Sequence, residues 1–124
     1  MWVSLADKKV AEHYKRGLLP EENRQVIILF LEKLSEKPYA EKLSAVTSVG
    51  QLYLTAALSW EDRTKNDRIS INQKEDAGKI LIVMAYYPDY SRKPSAERRC
   101  SLQEAVEYID VFVIRLIEEK YGKL

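Results

Sequence analysis

Between Gly78 and Pro88 the chain runs through eight consecutive apolar or amphipathic residues, Ile80-Leu81-Ile82-Val83-Met84-Ala85-Tyr86-Tyr87. The run is too short for a buried helix and far below the roughly 18 residues of a membrane span. Its β-branched and aromatic content, with Gly and Pro as bookends, predicts a strand. Side chains alternate sides along a strand, so an unbroken apolar run asks for cover on both faces. Ile80, Ile82, Met84 and Tyr86 line one face, and Leu81, Val83, Ala85 and Tyr87 the other.

Period-two alternation appears twice upstream. Leu52, Leu54, Ala56, Leu58 and Trp60 alternate with Gln51, Tyr53, Thr55, Ala57 and Ser59, predicting a half-buried strand over about 51–60. Ile69 and Ile71 alternate with Ser70 and Asn72, predicting a shorter strand over about 68–74. The polar stretch 61–68 between them reads as a loop. Asp76-Ala77-Gly78 supplies turn chemistry for a hairpin into a third strand over about 79–87.

Helical spacing governs the two ends of the chain. Ser101 with Glu104 forms a capping box, followed by Leu102, Ala105, Val106, Ile109, Phe112, Val113, Leu116 and Ile117 on one face. Lys120 and Lys123 suit the negative end of that dipole and Gly122 a stop, so a long helix is predicted over about 101–121. Val26 to Leu31 taken alone fits either a helix or a buried strand. The Pro20-Glu21-Glu22 start and the Glu32–Glu36 continuation favour helix, with Pro38 as its end. Ser4 and Asp7 make a modest capping signal for a further helix over about 5–16, stopped by Gly17. Tyr39, Leu43 and Val46 suggest a short helical segment over 39–46, and the charged stretch after Pro88 reads as a loop reaching Ser101.

The expected architecture is a single α+β domain over 1–124: N-terminal helices, a three-stranded antiparallel meander, and the long C-terminal helix packed on it. In such a meander strand 79–87 sits at an edge, and a long apolar edge is one that proteins normally pair or cover. Self-association as a symmetric homodimer, through that edge or the C-terminal helix, is the expected remedy.

Composition narrows the picture. The 124 residues carry 20 basic and 19 acidic side chains, a net charge of +1, so no global field favours nucleic acid or an anionic membrane. Cys100 is the one cysteine, so neither an intramolecular disulfide nor a cysteine metal cage can form. Asp7, Lys8 and Lys9 break up any secretory signal, and a cytoplasmic protein is expected.

Candidate chemistry is sparse. His13 is the one histidine and reads as a surface residue without a metal-ligand partner, so no metal or cofactor is implied. The acidic pairs Glu21/Glu22, Glu61/Asp62, Glu75/Asp76 and Glu118/Glu119 are adjacent in sequence and do not face each other on a helix. Gly-rich phosphate loops, nucleophile elbows and Cys-x-x-Cys pairs are missing, which argues against an enzyme. Cys100 precedes the N-terminus of the last helix beside Arg98 and Arg99, a setting expected to lower a thiol pKa and make it reactive. Tyr86, Tyr87 and Tyr90 lie close to Arg92, Lys93, Arg98 and Arg99, an aromatic and basic set able to stack bases and hold phosphates. Trp2 and Trp60 are large apolar anchors, Trp60 being assigned to the core. The preferred reading is a non-enzymatic protein–protein interaction module (adaptor, inhibitor or immunity-type protein, or structural subunit). Its partner is another protein or a second copy of itself, and a membrane is not implied. A nucleic-acid-associated protein using loop 86–99 is the alternative, and a thiol-dependent activity at Cys100 a weaker one.

Overall fold

The computed structural model describes residues 2–5, 25–48, 51–56, 67–88 and 92–122, with the backbone alone at 2, 3, 25, 47, 48 and 51. Six strands among these form one antiparallel sheet whose spatial order follows the chain. They are β1 (Trp2–Ser4), β2 (Ser44–Ser48), β3 (Gln51–Thr55), β4 (Arg68–Asp76), β5 (Lys79–Tyr87) and β6 (Ala96–Cys100). Two helices accompany it, α1 (Gln25–Ser35) and α2 (Leu102–Tyr121), with a 3-10 turn at Ala40–Lys42.

The α+β class holds, with a larger sheet than the sequence pattern implied. Three strands are added to the three expected. β1 takes Ser4, assigned above as a helix cap, and the Leu5 N–H continues the β1–β2 ladder by donating to Leu43 O at 3.0 Å. Of the helix expected over 5–16, Leu5 is instead bonded to β2's approach at Leu43, and residues 6–16 lie outside the described residues. Segment 39–46 makes a single 3-10 turn and then enters β2, whose Ser-Ala-Val-Thr-Ser sequence shows too little apolar alternation to announce a strand. Residues 96–100, assigned above to a loop, form β6.

β6 has the largest consequence. It pairs with β5 from Ile82↔Cys100 to Tyr86↔Ala96, so β5 is flanked on both sides over that span. Over Ile82 to Tyr86 the apolar edge that motivated a dimer is therefore paired from within the chain. β6 presents Glu97, Arg98 and Arg99 as exposed residues, and a short charged strand is a common way to end a sheet without inviting further pairing.

The β4–β5 hairpin turns through Ala77 and Gly78, with φ of 51° and 80°. Two central residues with positive φ are the requirement of the two-residue turn whose twist matches that of the strands. The turn fixes a register of nine residue pairs, from Asp76↔Lys79 to Arg68↔Tyr87. That register aligns Leu52, Ile71 and Met84 in one row, Leu54, Ile69 and Tyr86 in a second, and Ile82 with Cys100 in a third, all on one face.

Both described helices lie on this face. Ile27, Phe30, Leu31 and Leu34 of α1 and Ala105, Ile109, Phe112, Val113, Leu116 and Ile117 of α2 join the rows in one buried cluster. The Val26 N–H donates to Gln73 Oε1 at 3.1 Å, and Gln73 is paired with Ile82 on that side of the sheet. For 26–31 the helical reading is the right one. At α2 the capping box forms: Ser101 Oγ accepts from the Glu104 N–H, and Glu104 accepts from the Ser101 N–H. The helix ends at Gly122, with φ 86°, whose N–H donates to Glu118 O at 2.8 Å.

Candidate interaction surface

Opposite α1 and α2, the sheet presents a second surface that is far from uniformly polar. Val46, Tyr53, Ser70, Ala85 and Glu97 form one row across it. Thr55, Arg68 and Tyr87 form a second, and Asn72, Val83 and Arg99 a third, with Leu81 paired to Lys74 beyond. Val46, Tyr53, Leu81, Val83 and Tyr87 are half-buried, whereas the short side chains of Ser70 and Ala85 are buried. The Arg68 guanidinium lies 4.6 Å from the Tyr87 ring centroid and 5.6 Å from that of Tyr53, so the cation stacks on two aromatic faces. An antiparallel sheet with one solvated face normally turns polar residues outward. Here β5 turns Leu81, Val83, Ala85 and Tyr87 that way.

The aromatic and basic set singled out in the sequence divides between the two faces. Tyr86 points to the helix side and is fully buried, while Tyr87 is half-buried on the opposite side. Arg98 shares the helix side with Met84 and stacks on Tyr108 of α2, its guanidinium 4.2 Å from the ring centroid. Arg99 lies on the other side, its Nε 3.3 Å from Glu97 Oε1, so its charge is offset by a neighbour. Arg92 and Lys93 are exposed before β6, and Tyr90 lies outside the described residues. Strand alternation, which the loop assignment hid, is what separates Arg98 from Arg99.

Tyr86 anchors a contact chain that the sequence did not disclose. Its ring centroid is 6.0 Å from that of Phe112, which meets Tyr108 edge-on at 5.4 Å. The Arg115 guanidinium caps the other end, 4.3 Å from the Tyr86 centroid. The Tyr86 hydroxyl donates to Asp67 Oδ2 at 2.5 Å. Burial first, then the hydrogen bond and charge of Asp67, push the Tyr86 pKa well above the ordinary tyrosine value. A matching pair joins the end of α1 to α2, where the Tyr39 hydroxyl donates to Asp110 Oδ1 at 2.5 Å and Lys37 Nζ lies 3.1 Å from the same oxygen. Burial and Asp110 raise the Tyr39 pKa in the same way. Sequence separations of 19 and 71 residues explain why neither pair was foreseen.

Cys100 ends β6 on the helix side and is buried. The direction of its pKa is the reverse of the one expected from sequence. Arg98 does lower it, but burial and the Glu104 carboxylate together raise it. A protonated, covered thiol is a poor nucleophile. His13 and Trp60 lie outside the described residues, and of Trp2 only the backbone is described.

Other surface features among the described residues lie on the helices. Val111 and Ile114 are exposed on the outer side of α2, and Lys33 with Leu102, Gln103, Val106 and Glu107 lines an open groove of about 370 Å³ between the helices. Among the described residues no helix is long and apolar enough to cross a membrane. The chain matches no protein-family model, no curated protein and no solved structure.

Proposed function

We propose that this protein is a non-enzymatic binding module whose partner is another protein, engaged through the sheet face opposite α1 and α2. One observation carries this reading: β5 is apolar on both faces, and both described helices lie on the same one. Tyr53, Arg68 and Tyr87 add residue types that are enriched among the energetically dominant positions of protein interfaces. Self-association is one identity of the partner: β6 occupies Ile82 to Tyr86 of the β5 edge, one of the two expected routes to a dimer, the other being the C-terminal helix. A cytosolic setting is part of the proposal and rests on the single buried thiol.

The test is affinity capture from native cells with wild-type protein and with Val83→Arg, each first shown to be folded by circular dichroism. Wild-type protein should retain a specific protein that Val83→Arg loses, while Ile114→Arg on the outer side of α2 keeps it. Equal recovery by Val83→Arg and wild type would sink the proposal. Because Tyr53, Arg68, Tyr87 and Arg99 share this face, a single-stranded nucleic acid is the second reading. Nuclease treatment before capture separates the two, since only a nucleic-acid-mediated complex is lost to it.

A further inference from the structure

Ser95, immediately before β6, is exposed and held in a defined position. Its N–H donates to Tyr86 O at 2.8 Å, and its Oγ lies 3.4 Å from the same oxygen. Arg115 Nη1 donates to that Oγ at 3.1 Å across the gap between α2 and the β5–β6 connection. Arg92 and Lys93 are exposed three and two positions upstream, and Pro94 disfavours a helical backbone at Lys93. An accessible hydroxyl is thus already paired with a guanidinium and preceded by two exposed cations.

The geometry points to Ser95 as a phosphorylation site, with Arg115 as the clamp for the phosphoryl group. The phosphoryl donor is a nucleoside triphosphate, brought by a serine/threonine protein kinase whose peptide groove is acidic enough to accept Arg92 and Lys93. In that step Ser95 Oγ forms a bond to the γ-phosphorus, and the bond from that phosphorus to the β–γ bridging oxygen breaks. The hydroxyl proton passes to the kinase's general base, and nucleoside diphosphate leaves. Modification removes only the long 3.4 Å interaction with Tyr86 O, because the shorter bond to that oxygen comes from the backbone. In return the phosphate oxygens gain charge-assisted bonds from a guanidinium already within reach, which suits bidentate phosphate geometry. Glu119, one turn beyond Arg115, and Asp67 at the Tyr86 hydroxyl are the opposing negative charges. Both act on the hydroxyl of Tyr86, whereas Ser95 meets its backbone carbonyl. The proposal is independent of the binding face on the other side of the sheet.

Two measurements test it. Phosphopeptide mapping of the full chain from native cells, with phosphatases inhibited, should find phosphate on Ser95; a chain unmodified there under every growth condition overturns the assignment. Full-length protein carrying genetically encoded phosphoserine at 95 should melt about 3 °C above its unmodified counterpart. Its second phosphate ionisation, followed by phosphorus NMR, should fall below the ordinary value of about 6. Arg115→Gln should abolish both effects, each compared with unmodified Arg115→Gln protein so that loss of the Tyr86 stacking cancels. If the melting gain and the lowered ionisation both survive Arg115→Gln, Arg115 is not the clamp and the proposal fails.

Discussion

On the helix side of β5, Ile82, Met84 and Tyr86 are each 0% exposed, whereas Leu81, Val83 and Tyr87 on the opposite side remain half-buried. One strand thus carries similar chemistry on two faces that end in different states. The first face is matched row by row with β3 and β4 and sealed by α1 and α2. The second meets Tyr53 and Arg68, which combine apolar bodies with polar tips, and the polar Asn72. Among the described residues, what distinguishes the faces is the pair of helices on the first, since each face would favour burial by roughly 1.5–3 kcal/mol per large apolar side chain removed from water.

The largest expected effect comes from the covered face. Met84→Ala should cost about 2–5 kcal/mol in urea unfolding, through lost burial and the cavity left against the helices. Leu81→Ala, three residues away but on the other face, should cost about 1 kcal/mol, in keeping with its partial burial. Equal losses for the two variants would make the second face a core of its own and remove the ground for assigning it to a partner.

The Tyr86 hydroxyl sharpens the comparison, because it is a polar group on the sealed side. Tyr86→Phe should cost about 1–2 kcal/mol at neutral pH by removing the donor to Asp67. The folded pKa of Tyr86 lies above the unfolded value near 10, so the folded state keeps a proton that the unfolded chain gives up at alkaline pH. The stability contributed by the pair is complete below about pH 10 and declines as the pH rises beyond it. Tyr39 shifts in the same direction, so Tyr39→Phe together with Tyr86→Phe should flatten the alkaline loss of stability more than either alone. Urea titrations between pH 8 and 11 read this directly, and an unchanged slope in the double variant would contradict the burial of both hydroxyls.

Ser101→Ala should cost about 1 kcal/mol, since it removes one half of the α2 capping box. Its urea midpoint should shift without a change in m-value, because the cap orders the helix end without changing the surface that unfolds. That box, the α2 apolar face and the β5 run were legible because each is written in contiguous residues with its own period. β6 was not, because an edge strand is selected to repel further strands, and its Glu97, Arg98 and Arg99 resemble a solvated loop. β2 failed for a different reason: five small residues between two β neighbours draw their pairing from tertiary context rather than from propensity. The candidate surface was half legible. Its apolar β5 residues were in view, but its Tyr53–Arg68–Tyr87 stack depends on a register across three strands that no local pattern encodes.

The smallest effect concerns the turn on which that register depends. A slip of one residue at the β4–β5 hairpin would exchange the two faces of β5, sending Leu81, Val83 and Ala85 to the helices and Ile82, Met84 and Tyr86 outward. Ala77 holds φ 51° there, a conformation that costs an L-residue with a Cβ roughly 1–2 kcal/mol. Glycine adopts it freely but loses more backbone entropy on folding, roughly 0.5–1 kcal/mol relative to alanine. Ala77→Gly should therefore raise stability by about 0.5 kcal/mol, and Ala77→Asn by a similar amount, because asparagine tolerates the left-handed region. The gain should appear in the urea midpoint, with the β5 amide chemical shifts unchanged beyond the turn. Destabilisation by both substitutions would mean that the turn does not hold this backbone in solution, and the assignment of β5 side chains to two unlike faces would lose its anchor.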